Sequence, residues 1–239
     1  MIHLLENGEL DDNKFSNQLF EFVDLAAQMT LQAHQLTCVR GERRLFRGVD
    51  FEIIAGDALR VVGENGSGKT SLLRILCGLT QAAEGEVRWH GRSIRQLREE
   101  FSRNLIYLGH ANGVKDDLLA WENIVVASAL SGNPVTQGDA VHALKQLGLG
   151  RAVSLPTRVL SQGQRKRVAL ARLQLSTSTP LWILDEPFTA LDQNSVSELC
   201  GTINGHLANG GMVIYTTHQE IDLTARRVRR LDLSRGTLC

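Results

Sequence analysis

The run Gly63-Glu64-Asn65-Gly66-Ser67-Gly68-Lys69-Thr70 is the feature that most narrows what this chain can fold into. It joins the apolar stretch DALRVV (57–62) to the segment KTSLLRILC (69–77), in which Leu72, Leu73, Ile75 and Leu76 recur at helical spacing before Gly78 ends the pattern. Strand, glycine-rich turn and helix in this order make a phosphate-binding loop. The glycines let backbone N–H groups close on phosphate oxygens, and the helix N-terminus adds partial positive charge. Lys69 is then placed for the β- and γ-phosphates of a nucleotide and the Thr70 hydroxyl for Mg²⁺, with Ser71 continuing the first helical turn.

The rest of the chain must build a sheet beside that loop. Strands are expected at 31–39 and 45–54, with a turn at Gly41-Glu42, and again at 86–89 and 104–108. Residues 119–130, 138–147 and 163–175 carry apolar positions at three- and four-residue intervals, and Gly132-Asn133-Pro134 separates the first two helices. The last third alternates: strand 181–184, helix 194–207, strand 212–216, helix 219–226, strand 228–233. Such alternation predicts an α/β core with a parallel sheet, and the helices of 110–160 read as a lobe set upon it. Residues 1–30 are polar and acidic early on and read as an extension outside the core, disordered or docked as a helix.

The sheet strand Leu181-Trp182-Ile183-Leu184 ends in Asp185-Glu186-Pro187. Parallel sheets place chemistry at such strand ends. Asp185 can hold Mg²⁺ through water, and Glu186 can polarise an attacking water. Leu160-Ser161-Gln162-Gly163-Gln164 opens a helix with Ser161 as its N-cap, and the following Arg165, Lys166 and Arg167 read as a solvated basic face. His218 follows the apolar strand 212–216.

These residues, in this order, resemble the ATP-binding subunits of ABC transporters over residues 31–235. The resemblance implies a P-loop NTPase core with a mainly parallel sheet, an N-terminal antiparallel β subdomain and a helical lobe at about 110–165, with 236–239 as a tail. It implies ATP and Mg²⁺ as ligands and a head-to-tail dimer with two ATP molecules between the copies. In that frame Ser161, Gly163 and Gln164 match the signature motif that closes on the other copy's nucleotide. Asp192, in Ala190-Leu191-Asp192, matches the loop coupling the two sites, and His218 the switch histidine at the γ-phosphate.

Two positions depart from the family pattern. The family's adenine-stacking aromatic falls near Arg40, with no aromatic beside it; the Arg40 guanidinium can stack on the base, or Val39 can pack there. The family's glutamine after strand 104–108, which touches Mg²⁺ and the membrane partner, is replaced by Gly109-His110, so His110 is the candidate for that place.

YLGHANGVKDDLLAWENI (107–124), ARLQLSTSTPLWILDEPFTALD (171–192) and GGMVIYTTHQ (210–219) are similar to the ATPases of bacterial cytochrome c maturation. This narrower resemblance implies membrane subunits as partners on the cytoplasmic face of the inner membrane, and a role in haem export or release of a haem-loaded chaperone. ATPases of other exporters or importers share the same motifs, so cargo stays open. A soluble ABC protein acting on ribosomes or DNA would carry two ATPase units or long coiled-coil insertions, which this chain lacks. A non-ABC P-loop kinase leaves LSQGQ and His218 unexplained.

Composition agrees with a peripheral subunit. Net charge is zero, so bulk electrostatics imply no nucleic-acid partner. The apolar runs are of strand length, short of the roughly 20 residues of a membrane helix. The four cysteines lie far apart, as reduced thiols do, and no CxxCH motif or axial histidine pair predicts direct haem binding.

Overall fold

The computed structural model describes residues 29–234 and the backbone of Thr237–Leu238. The expectation for the segment 1–30 lies, but for Met29 and Thr30, outside the described residues, as do 236 and 239.

Two sheets and a helical lobe form the molecule. β1 (Thr30–Arg40) and β2 (Arg43–Ile54) make a hairpin, and β4 (Glu84–Trp89) and β5 (Arg92–Ser93) extend it into an antiparallel sheet ordered β2-β1-β4-β5. The larger sheet contains β3 (Asp57–Val62), β6 (Leu105–Leu108), β7 (Leu181–Leu184), β8 (Met212–Thr216), β9 (Arg227–Asp232) and β10 (Thr237–Leu238). Its order is β10-β9-β3-β8-β7-β6, parallel except for β10.

The apolar strands explain why this sheet is central. β7 is buried along its whole length. Leu181 and Ile183 join the core under the antiparallel sheet, together with α1 (Lys69–Leu76). Trp182 and Leu184 join the core on the other side, with Leu199, Ile203 and Leu207 of α7 (Gln193–Ala208). Successive side chains of a strand point to opposite faces, so a continuous apolar run signals a strand covered on both. A third core holds the lobe together. It packs α4 (Ala120–Leu130), α5 (Gln137–Gln146) and α6 (Gln162–Gln174) through Ile124, Leu144 and Val168. Asn123 fastens the entry to α4: its side chain bonds Lys115 N at 2.7 Å and the carbonyls of Lys115, Leu118 and Leu119.

Two expectations need correcting. The short helices α2 (Ile94–Leu97) and α3 (Glu99–Arg103) were not expected; Ile94, Leu97 and Phe101 bury their apolar sides. Conversely, residues 219–226 form no helix. Ile221, Leu223 and Ala225 pack toward the core at alternate positions, a period of two. The backbone there bonds outward: Arg60 donates to Gln219 O at 2.9 Å, Thr224 N to Asn204 Oδ1 at 2.8 Å and Arg226 N to Gly56 O at 2.9 Å. Tertiary partners have replaced the helical hydrogen bonds.

Candidate active site

Parallel register brings the strand ends together. Val61 stands beside Thr216, Leu184 beside Tyr215 and Leu108 beside Leu184. The residues that follow each strand, Gly63, Asp185, Thr217 and Gly109, therefore emerge along one edge, which is where open α/β sheets bind ligands.

The phosphate loop needs its glycines for two separate reasons. Gly63, Gly66 and Gly68 have φ of 148°, 81° and 102°, which side chains rarely adopt. A Cβ on Gly63 would lie 2.6 Å from Ser67 Oγ, and one on Gly68 3.0 Å from Leu45 and Phe46. Gly68 is also the N-cap of α1 and supplies no side-chain cap, which leaves that helix end as an anion-binding surface. Lys69 Nζ donates to the carbonyls of Gly63 at 2.8 Å and Glu64 at 3.1 Å, so the ammonium lies over the loop. Ser67 Oγ is buried with no hydrogen-bond partner among the described residues.

Asp185 is 2% exposed and its two oxygens are held apart. Thr70 donates to Oδ2 at 2.7 Å and Thr216 to Oδ1 at 2.8 Å. Thr216 Oγ1 also accepts from Glu186 N at 2.8 Å, so one hydroxyl orders both acidic residues. Glu186 has φ 52° and turns away from the strand. Its Oε1 lies 3.3 Å from His218 Nε2, and Thr189 donates to Oε2 at 3.4 Å.

Gly68, Lys69, Thr70, Asp185, Glu186 and His218 line a cleft of about 680 Å³; Gly63, Glu64, Ser67 and Thr216 do not. Arg40 and His110 line it too, as do Asn65, Gly66 and Ser71. Ser161, Gly163, Gln164 and Asp192 do not line this cleft. Ser161 and Gln164 cap α6 reciprocally, at 3.2 Å and 2.9 Å. Asp192 caps α7 by accepting from Ser195 N at 2.8 Å, a bond that holds its carboxyl below the usual range. Gly163 packs so closely on the loop between them that a Cβ there would meet Ala190 O at 2.9 Å.

Sequence reasoning missed Arg43, Leu45 and Thr189, which line the cleft, and Thr216 and Lys166, which bond to its acidic residues. Thr216 had a signal: it is the last residue of the strand preceding His218. Lys166 had none, because the helical basic run reads as surface while the structure leaves Lys166 only 6% exposed.

A phosphate loop opposite a strand-end Asp-Glu pair, with a capped LSQGQ helix alongside, defines an ABC-type ATP-binding protein. The family described as ABC transporter matches residues 46–189. A putative ABC transporter ATP-binding protein from Pyrococcus furiosus shares the fold with a TM-score of 0.71 at 23% identity, covering 84% of this chain and 97% of that one. An ATP-binding cassette solved as a post-hydrolysis dimer with ADP and Pi gives 0.68 at 23% identity, over 79% and 88% of the two chains.

Sequence relatives narrow the class. The "Cytochrome c biogenesis ATP-binding export protein CcmA" of Nitrosospira multiformis is 53% identical over 205 residues, 86% of this chain and 99% of that protein. The proteins of the same name from Dechloromonas aromatica and Salmonella typhi are 50% and 47% identical, over 85% and 86% of this chain and 99% and 98% of theirs. The chain belongs to the CcmA family of ABC-type ATP-binding proteins.

Proposed function

We propose that this chain is the ATP-hydrolysing subunit of an export system for cytochrome c biogenesis, working as a pair of copies bound to membrane-spanning subunits. The observation that carries the hydrolytic part is the Thr70–Asp185–Thr216–Glu186 chain of hydrogen bonds at the lip of the phosphate loop. It holds two carboxylates in different orientations beside a phosphate cradle. The biogenesis role rests on the family.

In this reading the loop 63–70 wraps the phosphates of ATP, Lys69 neutralises the β- and γ-phosphates, and Arg40 stacks on the adenine. The Thr70 hydroxyl and Asp185 carboxylate, bonded to each other at 2.7 Å, are hard oxygen donors suited to Mg²⁺. Among the described residues no cluster of three or more His, Cys, Asp or Glu forms a cage. That suits Mg²⁺, which keeps waters and substrate phosphates as its other ligands and neutralises charge on the phosphates. His110, which lines the same cleft, would stand beside the water shell of a bound Mg²⁺.

Glu186 polarises the attacking water, and His218, within 3.3 Å of the Glu186 carboxylate, contacts the γ-phosphate. Ser161, Gly163 and Gln164 lie outside the cleft of their own copy. This supports a role toward the nucleotide of a second copy, with Asp192 near the seam.

Among the described residues no helix is long and apolar enough to cross a membrane, which supports peripheral attachment, here assigned to the cytoplasmic face of the inner membrane. Cargo, haem or a haem-loaded chaperone, is handled by the membrane subunits, and this chain binds neither haem nor nucleic acid.

The test is gel filtration of Glu186→Gln and Lys69→Ala with Mg-ATP. Glu186→Gln should elute as a dimer only with ATP, whereas Lys69→Ala should bind no nucleotide. A Glu186→Gln protein that stays monomeric with Mg-ATP would sink the paired reading. Cells lacking the gene should lose c-type cytochromes and regain them with the wild type but not with Lys69→Ala.

A further inference from the structure

Glu186 sits at φ 52°. A left-handed backbone is unfavourable for a non-glycine residue, so surrounding groups must hold it there. Three do. Its N–H donates to Thr216 Oγ1 at 2.8 Å, and its carbonyl accepts from Lys166 Nζ at 2.9 Å and, more weakly, from Thr189 N at 3.4 Å. The peptide on each side of the Glu186 Cα is thereby pinned.

Lys166 is an unusual residue to find there. Its neighbours on α6 serve the lobe: Arg165 bonds Asp116 at 2.9 Å and Arg158 O at 2.8 Å, and Arg167 bonds Leu147 O at 3.3 Å. Lys166 alone of the three turns inward, and among the described residues no carboxylate lies within 4.0 Å of its ammonium. Buried lysines without an ion pair are rare, because taking an ammonium out of water is costly. Burial lowers its pKa, with the carboxylates of Asp185 and Glu186 opposing that shift.

We propose that Lys166 is a positioning residue: by holding the Glu186 carbonyl it fixes the left-handed turn that aims the Glu186 carboxylate, and it joins that turn to α6. The N-cap Ser161 and, in the first turn of α6, Gly163 and Gln164 are read above as facing the second copy, so movement of this helix on pairing is transmitted to Glu186 within the same chain. Gly163 against Ala190 O gives α6 a second contact with the same segment. The inference rests on the reading of Glu186 as the residue that polarises water.

The test uses the transporter complex, purified from solubilised membranes through a tag on this chain. Lys166→Met keeps length and loses the donor, and Lys166→Arg keeps a donor. For Lys166→Met, kcat should fall about tenfold or more, since small misplacements of a reacting group have effects of that size. KM for ATP should stay within about twofold, because nucleotide binding is untouched. Lys166→Arg should restore most of kcat. Lys166→Met added to Glu186→Gln should lower the residual rate no further, since both act through one carboxylate.

A wild-type rate in Lys166→Met, a KM rising in step with the fall in kcat, or losses that multiply in the double variant would each overturn the proposal. If Lys166→Met does not fold, Lys166→Gln, which keeps a donor on a shorter side chain, decides: a lowered kcat at wild-type KM supports the proposal, and a wild-type kcat or a raised KM overturns it. Full activity in Glu186→Gln alone would instead bring down the reading of Glu186, a result distinguishable from the others.

Discussion

Thr216 is fully buried at the end of β8 and joins the two acidic residues through one hydroxyl. Thr216→Val replaces that hydroxyl by a methyl of similar size, so no cavity forms and the change isolates hydrogen bonding. Asp185 Oδ1 loses a donor, a bond to a charged group worth about 1.5–3 kcal/mol, and the Glu186 N–H is left unsatisfied at about 1–3 kcal/mol. Thr70 still serves the other Asp185 oxygen at 2.7 Å, and the cleft admits water to the carboxylate, so the sum is taken at about 3 kcal/mol. In a chain of this size that is about 6–12 °C in Tm. Thr216→Ser is the control: it keeps the hydroxyl and loses one buried methyl, about 1 kcal/mol. Urea unfolding of the three proteins gives both differences at unchanged m-value. Thr216→Ser should be the milder change in stability and in ATPase rate. If Thr216→Val is as stable as wild type, or Thr216→Ser is the worse of the two, hydrogen bonding at Thr216 does not hold the acidic pair.

Two further perturbations test other parts of the fold. His206 stacks on Trp182, with ring centroids 3.7 Å apart at 3°, and burial pushes its pKa down to about 4 from 6.5. The unfolded chain therefore takes up this proton first: stability is whole above about pH 6.5, and about 2 kcal/mol is lost by pH 5. Urea midpoints of wild type and His206→Phe at about pH 7.5 and pH 5 should show that much less acid sensitivity in the variant; equal sensitivity refutes the assignment. Gly68→Ala puts a Cβ at φ 102°, 3.0 Å from Leu45 and Phe46. Titration with a fluorescent ATP analogue should show about a tenfold or greater loss of affinity, the equivalent of 1.4 kcal/mol, and unchanged affinity would mean that the loop tolerates the side chain.

The residues themselves carried the strand–loop–helix of the phosphate site, the apolar strands 57–62, 181–184 and 212–216, and Ser161 as a helix cap, because period, glycine placement and capping are local properties. They also brought Asp185 and Glu186 to a strand end, where the parallel register lines them up with the phosphate loop. Residues 219–226 show where local reasoning stops: their hydrogen bonds go to Arg60, Asn204 and Gly56, which are far away in the chain.

The same holds for what aims the acidic pair. Thr216 lies 31 residues from Asp185 along the chain, and Lys166 lies 20 from Glu186. Composition marked Lys166 as surface, and only the packing of α6 against the turn after β7 turned it inward. Local sequence was enough to specify the strand–loop–helix at 57–76 and to put Asp185 and Glu186 at a strand end. How the carboxylates are held depends on groups distant in the chain, because the left-handed Glu186 is kept in place by a hydroxyl from β8 and an ammonium from α6 together with the nearby Thr189 N–H.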